Sequence, residues 1–576
     1  MQLIRRLRIP ALFCAFAVLV CELISRPFAE MGISDDGPYI VMAQKLAATG
    51  HIVYNGWAAP MLAWQLYLAA AFIKLFGFSF TTVRMSTVLV AMALAFLLQR
   101  TLVRSGIAER NATLGTLALV LSPLYLMLSA TFLTDIDGLF AIVICLYGCL
   151  RALQSPADRS TIAWLIFAVV TNALCGTSRQ IAWLGILVLV PSTLWLLRSR
   201  RRVLLTGAAI DLAGALFVFA CVQWLKHQPY ILTVHLLPDS FPVLRTISEL
   251  NDFFLDIPFL LLPVVALFLP EIRKCRPRNI AIAFVLLLGY LLLALHPRIL
   301  HFFLALEPTM RGEGDWVGIH GIHEGIHLQG TRPIFLSKGT QVLLTVVSLG
   351  GLLSLIASLL RSRFTPVAAQ SPSQISWKQL GMLFMPFTVA YTLLLIAPAA
   401  TGWIFDRYAL GLLVVVLICL ARYYQEQVQP RFPLAGVLLV GIMAVYGIAV
   451  THNMFAVYRA RVALAAELRA NGIPDTSVDN GFEYNFVVEL QHASHLNDNR
   501  IVVPANAYVP PSPLPASTCT MFWYDKTPVI HPLYGISFNP AACYGAAPFA
   551  PAHYSRWLAS APGTLYIVRY TPPSKP

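Results

Sequence analysis

Two adjacent carboxylates, Asp35 and Asp36, stand in the segment Gly32-Ile-Ser34-Asp35-Asp36-Gly37-Pro38-Tyr39, ahead of an amphipathic stretch over 40–48 that Gly50 ends. A carboxylate pair at a loop-to-helix junction can take a proton from a hydroxyl nucleophile or hold a divalent cation. It also has a simpler use: Ser34 or Asp35 can cap the helix, with Asp36 favoured by the helix dipole. A second acidic pair, Asp135 and Asp137, lies in Thr134-Asp135-Ile136-Asp137-Gly138, at the end of an apolar span pair. Ionisable groups at membrane depth are costly, which makes them functional candidates. A loop that merely reaches water is the alternative. Two cations could complete such a site: Arg179 in Gly176-Thr-Ser-Arg-Gln180, and Arg407 in Phe405-Asp-Arg-Tyr408. The bidentate fork of arginine suits a phosphate or pyrophosphate. Snorkelling to the membrane interface, or a local Asp406–Arg407 pair, would explain them otherwise.

A rival motif sits in the long loop 296–340. His323-Glu324-Gly325-Ile326-His327 fits H-E-x-x-H, in which two histidines one helical turn apart hold zinc. The surrounding string is a tandem Gly-Ile-His repeat from Val317 to Gly330. Each glycine costs about 1 kcal/mol in a helix interior, which argues against the zinc-peptidase helix. His320, His323 and His327 stay as candidate metal ligands, and a polar loop over the site is the plainer reading. A transporter is the second rival; no internal repeat supports it, and the spans carry few charges. No nucleotide-binding glycine motif is found. No cofactor is implied beyond a divalent cation at the carboxylates.

The elements that must position these residues are membrane spans. The chain has 576 residues, 58% of them hydrophobic and 12% charged, and a mean hydropathy of +0.70. Soluble domains carry about a quarter charged residues, so a soluble fold is excluded. The net charge of +14 does not point to nucleic acid, because the basic residues cluster at span ends rather than on one face. Thirteen spans are read, near 10–25, 83–103, 112–131, 137–150, 161–177, 181–197, 203–224, 254–270, 279–295, 341–360, 380–399, 408–421 and 433–450. The first is expected to be a retained signal anchor. Segment 61–76 is apolar but short. If it crossed, every later basic cluster would move outward, against the positive-inside bias, so an interfacial helix is expected there. The resulting topology puts the amino terminus inside. It puts outside the first loop (27–82), the loop 131–137, the long loop 296–340 and the carboxyl-terminal tail. The expected architecture is an all-α polytopic membrane domain over 1–450, with a small α+β extracytoplasmic domain over 451–576. Cys519 and Cys543 are the two cysteines of that tail, and the compartment permits a disulfide between them.

This order of features resembles the GT-C membrane glycosyltransferases, a superfamily that includes protein O-mannosyltransferases, lipid A aminoarabinose transferases and oligosaccharyltransferase catalytic subunits. The resemblance covers about the first 200 residues. It begins with Asp35-Asp36-Gly-Pro-Tyr39 and the helix ending at Gly50. It continues through the interfacial helix over 60–77, Arg84, the basic turn near 100–110, Leu121-Ser-Pro123 and Leu133-Thr-Asp135. Arg407-Tyr408 is similar to a late outer-loop motif of many members. The resemblance implies inverting transfer of a sugar from a polyprenyl-phosphate donor to an extracytoplasmic lipid, polysaccharide or protein acceptor. It implies Asp35 as general base, Asp36 as the adjacent acid and Asp135 as the second-loop acid, with Arg179, Arg407 and Tyr408 near the donor phosphate. It places the protein in the cytoplasmic membrane with its active site outside. The chain departs from the pattern in lacking the Glu often found after the first Asp, and in carrying Ser-Arg-Gln over 178–180 in place of a Lys-containing turn.

Overall fold

The computed structural model describes residues 8–57, 60–233, 241–294, 317–322, 326–361, 375–511 and 519–572. Helices dominate. Among the described residues, eight helices are long and apolar enough to cross a membrane, or up to ten if each of two bent pairs is one span. Three shorter apolar helices, Ile9–Ser25, Gln180–Leu196 and Pro277–Leu293, fall where further spans are read from the sequence.

Two of the expected spans are not single rods. The run read as 112–131 is Glu109–Val120 followed by Pro123–Ser129, bent by 69°. Ser122 caps the second piece by accepting from the Tyr125 amide, and Pro123 occupies its first turn. Proline there supplies the right φ and lacks only an amide that a helix start leaves unpaired, so the chain restarts in a new direction. The run read as 254–270 is likewise Val243–Leu260 and Leu262–Lys274, bent by 68°, with Pro263 in the first turn of the second piece.

The helix Ala63–Phe76 has 14 residues, or about 21 Å, too short for a hydrocarbon core of about 30 Å. Both its ends meet the same layer of loops. At its start the Trp64 amide donates to Thr177 Oγ1, and Gln65 Nε2 donates to the Phe132 and Leu133 carbonyls. Past its end, the Phe80 amide donates to Glu30 of the first loop. Both ends of the helix therefore meet loops of one face of the bundle.

At the opposite end of the bundle the basic loops interlock. Arg422 donates to the Ser105 and Ile375 carbonyls, Arg104 to Gln154, and Arg361 to Glu271.

The boundary expected at 450/451 falls inside one continuous helix, Leu434–Ala470, of 37 residues and about 55 Å. Its first half exposes Leu434, Leu438, Ile442 and Val445, a stripe at helical spacing that suits lipid. From Ala449 to Tyr458 it is buried throughout, because the tail packs on one side of it and the end of the first helix and the helix Pro123–Ser129 on the other. The span and the tail's first helix are therefore one element, and the change of surroundings carries no break in the chain.

The tail adds the helix Gly481–Ala493 and a four-stranded sheet in the order β3-β4-β6-β5: Val478–Asp479, Tyr534–Ser537, Gly563–Arg569 and Ala552–Tyr554. β3 runs parallel to β4, and the other pairs are antiparallel. The two strands before them, β1 (Val317–Gly318) and β2 (Gly321–Ile322), form a hairpin in the long loop. Cys519 and Cys543 are joined, with Cα atoms 5.3 Å apart. The tail is packed into the first outer loop. Arg461 and Glu483 form a fully buried ion pair at 2.9 Å. A side chain on Gly32 would collide with the Glu483 carbonyl at 2.9 Å, and one on Gly37 would press on Val487 at 3.0 Å. The glycines flanking the acidic pair let the helix Gly481–Ala493 lie directly against it.

Candidate active site

Asp35 and Asp36 part company at the start of the helix Asp36–Thr49. Ser34 takes the left-handed conformation with φ 51°, which turns the backbone so that the two carboxylates diverge. Asp36 is fully buried. Its Oδ1 accepts from the Ile33 amide at 2.7 Å, and its two oxygens accept from Arg84 Nε at 2.8 Å and Nη2 at 3.0 Å. Its Oδ2 also accepts from the Phe132 amide at 3.2 Å. Arg84 completes its fork on the Ala29 and Met31 carbonyls. Asp36 thus ties the first acidic loop to the second and is enclosed by protein on every bond.

Neither Ser34 nor Asp35 caps the helix. Asp35 occupies the N-cap position without a side-chain cap bond, and the turn is closed by Asp36 instead. Asp35 turns toward the cleft, where Arg407 Nη2 lies 3.2 Å from its Oδ2 and the carboxylate keeps partial access to solvent. The local Asp406–Arg407 side-chain pair is not the arrangement found. Asp406 accepts from the Arg407 and Val317 amides, which fixes the short turn Asp406–Ala409 and sends the Arg407 guanidinium across to Asp35.

The second loop is built around Arg179. The helix Asp158–Cys175 gives way to a 3-10 turn at Gly176–Ser178, and Arg179 itself is extended before the next turn at Gln180–Trp183. Asn172 staples this reversal, donating to the Ala141 and Ala182 carbonyls and accepting from the Ile186 amide. Arg179 Nη1 meets Asp135 Oδ1 at 2.5 Å and Thr134 Oγ1 at 3.2 Å. Gly138 is required here, because a Cβ would stand 2.9 Å from Arg179 Cδ. Asp137, two residues on and pointing elsewhere, is buried, with the Trp64 indole as its nearest side-chain donor.

Tyr408 joins the halves, its ring 5.0 Å from the Arg179 guanidinium carbon and 5.9 Å from that of Arg407. Tyr391 donates to the Tyr408 carbonyl at 2.8 Å. The narrow cavity between them has a charged end of Asp135, Arg179 and Arg407 and an apolar wall of Leu139, Ile142, Ile181 and Leu410. Tyr39 lies within electrostatic reach of Asp35, Arg407, Arg179 and Asp135 together. Burial first, and then the Asp35 carboxylate, push its hydroxyl well above the usual phenol range, so it stays a neutral donor. Sequence reasoning did not single out Tyr391, and it gave Tyr39 and Arg84 no role. Arg84 and Tyr39 stand in the resembling segments, yet their partners become visible only in three dimensions.

Of the three histidines, His320 lies in the turn of the β1–β2 hairpin, and His327 is stacked on Phe522 with ring centroids 3.7 Å apart. His323 and Glu324 lie outside the described residues. Among the described residues, no group of three or more His, Cys, Asp or Glu side chains converges as a metal site.

Residues 58–225 match the sequence profile of the family described as dolichyl-phosphate-mannose-protein mannosyltransferase. That stretch contains the helix Ala63–Phe76, Arg84, Asp135 and Arg179; Asp35 precedes it and Arg407 follows it. No curated protein matches the chain. Among solved structures, the chain is similar to ArnT from Cupriavidus metallidurans bound to undecaprenyl phosphate, with 14% identity, 96% of each chain covered and a TM-score of 0.42. It is also similar to the Archaeoglobus fulgidus oligosaccharyltransferase in complex with Zn and sulfate, with 14% identity, 90% of this chain and 67% of that one covered, and a TM-score of 0.42. The S. cerevisiae protein O-mannosyltransferase Pmt1-Pmt2 complex bound to the sugar donor shares 14% identity over 37% of this chain and 32% of that one, with a TM-score of 0.27.

Proposed function

We propose that this chain, which resembles the GT-C membrane glycosyltransferases, moves a sugar from a polyprenyl-phosphate donor to a hydroxyl of an extracytoplasmic acceptor, with inversion. The observation that carries the reading is a cavity with Asp135, Arg179 and Arg407 at one end and an apolar wall at the other, its two arginines paired with Asp135 and with Asp35. A lipid-linked donor needs that combination: cations for its phosphate and a greasy wall for the first isoprene units.

The acceptor O–H gives its proton to the Asp35 carboxylate as its oxygen bonds to the anomeric carbon. The bond from that carbon to the phosphate oxygen breaks on the opposite face, and the lipid phosphate leaves with the electron pair. Arg407 and Arg179 neutralise the charge that builds on it. Arg407 is paired with Asp35 and Arg179 with Asp135. A phosphate arriving at Arg407 competes for the guanidinium and releases Asp35 to face the acceptor. Asp135 holds Arg179 in place, and neutral Tyr39 is positioned to donate to a sugar or phosphate oxygen.

Membranes with and without the protein, supplied with radiolabelled sugar on polyprenyl-phosphate donors, provide the test. Transfer is expected with the wild type and lost in Asp35→Asn. Activity within a few-fold of wild type in that variant would remove Asp35 as the base. The active site and tail are read as extracytoplasmic because the basic loops gather at the other end and the tail carries a disulfide. Membrane-impermeant thiol reagents should then reach cysteines engineered at Ala48 and Pro511 from outside and miss one at Ser199. Labelling at Ser199 from outside would invert the topology.

A further inference from the structure

A run of aromatic rings leads from the charged end of the cavity to the tail. Tyr408 faces Phe405 with centroids 5.4 Å apart, Phe405 faces Trp403 at 6.3 Å, and Trp403 faces Trp523 of the tail at 6.4 Å. Trp523 in turn meets Trp57 of the first outer loop at 5.5 Å and Phe522 at 4.5 Å. Three segments far apart in sequence build it. Trp403 follows a span end, where indoles commonly anchor in the headgroup layer, and that accounts for Trp403 alone. Trp523 belongs to the tail and adopts φ 53°, a left-handed conformation that a bulky side chain rarely takes. Its segment begins at Cys519, which is joined to Cys543. On one side Trp57, Phe522 and Trp523 lean on the buried cluster of Phe482, Phe486, Leu490 and Leu496, with Trp523 parallel to Phe486 at 5.7 Å; toward the cavity the rings stay open, Trp403 being 54% exposed and Phe405 half-buried.

We infer that this run is the acceptor subsite and that the acceptor presents an uncharged carbohydrate to it. The inference rests on the transferase reading above and narrows its acceptor. A sugar ring has an apolar C–H face that packs on an aromatic ring while its hydroxyls stay in water. Aromatic side chains supply that face with few rotatable bonds to immobilise. Among peptides, aromatic grooves serve chiefly proline-rich segments, while others use main-chain hydrogen bonds or a helix face; rings beside a glycosyl-transfer site suit the apolar face of a sugar. The run also ends at the right chemistry. The Arg407 guanidinium carbon stands 4.8 Å from the Phe405 ring centre, and the same guanidinium holds Asp35 at 3.2 Å. A sugar stacked on the inner rings brings a hydroxyl beside the proposed base. The apolar wall of the cavity, lined by Leu139, Ile142, Ile181 and Leu410, is left to the donor lipid.

The full-length protein in lipid nanodiscs, free of sugar-based detergents, can be titrated with a panel of neutral pentasaccharides of glucose, mannose, galactose and arabinose, read by tryptophan fluorescence. Undecaprenyl phosphate is titrated in parallel. At least one pentasaccharide should bind the wild type. Trp523→Ala should weaken that binding about tenfold and leave undecaprenyl phosphate binding unchanged, while Trp523→Phe should largely restore it. Trp403→Ala, at an exposed position that folding does not need, should weaken it in the same sense. Equal pentasaccharide affinity in wild type and both alanine variants would overturn the subsite, as would binding of no pentasaccharide by a wild type that still binds undecaprenyl phosphate. A folded wild type that binds neither ligand would overturn the transferase reading itself.

Discussion

Asp35 and Asp36 are neighbours in sequence, each bound to an arginine from a distant segment, and the two pairs are opposites. Asp36 with Arg84 is sealed: both side chains are buried, and the fork is completed by the Ala29 and Met31 carbonyls. Arg407 of the other pair lines a cavity, and its partner Asp35 stays partly accessible to solvent. A sealed pair has no site left for a substrate and holds loops in place; an open pair can exchange its partner for a phosphate. The same residue types at the same junction therefore do different work, and the difference is set by what closes around them.

The largest effects should separate these two roles. Asp35→Asn keeps the shape of the side chain and removes the base, which is worth on the order of 10²–10⁴-fold in rate, with protein abundance and melting temperature near wild type. Asp36→Asn should do the reverse in kind. It leaves Arg84 buried without its counter-charge, at a cost of about 3–5 kcal/mol, so the melting temperature falls and activity falls with the folded fraction. A combined Asp36→Leu and Arg84→Met variant should recover much of the lost stability, since removing both charges avoids the unpaired one. A well-folded Asp36→Asn protein with selectively lost transfer would return Asp36 to the catalytic set, as the resemblance implies.

The next effect is on donor affinity. A charge-assisted hydrogen bond to phosphate is worth roughly 1.5–3 kcal/mol. Arg407→Ala and Arg179→Ala should each weaken undecaprenyl phosphate binding about 10- to 100-fold. Lysine keeps the charge without the fork and should fall between. Equal affinity in wild type and both alanine variants would leave the open pairs as structural as the sealed one.

Much of this arrangement is legible in the chain. The apolar helices, the short helix over 63–76, the two acidic loops and both cavity arginines follow from hydropathy and residue type. The division of labour between Asp35 and Asp36 does not, because it depends on the left-handed turn at Ser34 and on Arg84, 48 residues downstream of Asp36. Local sequence allowed Ser34 or Asp35 to cap the helix, and tertiary bonds to Arg407 and Arg84 decided otherwise. The bends at 121–122 and 261 were hidden for a related reason. Hydropathy averages over a window and is blind to a proline in the first turn of a second helix. The aromatic run was beyond sequence pattern altogether, since Trp57, Trp403 and Trp523 share no local period.

The smallest effect carries the same contrast into the tail, where one helix holds a paired and an unpaired carboxylate. Glu483 is matched by Arg461 in a buried ion pair. Glu489, six residues on and also buried, accepts from the Val529 amide at 3.0 Å. Burial outweighs that single hydrogen bond and pushes its carboxyl up to about 7. The sign follows from the protons bound. Between the ordinary glutamate value near 4.3 and about 7, the folded state holds a proton that the unfolded state releases, so stability falls as pH rises through that window. Above it the full cost of ionising a buried group is present, at most on the order of 3–4 kcal/mol at 1.36 kcal/mol per unit. Glu489→Gln keeps an oxygen for the Val529 amide and carries no charge. The variant should match wild type near pH 4.5 and melt higher at pH 8, with the difference growing between those values. Melting curves of the purified protein at both pH values decide it. A constant difference across the range would mean that Glu489 is solvated in the folded protein, and that this carboxylate needs no arginine because water already serves it.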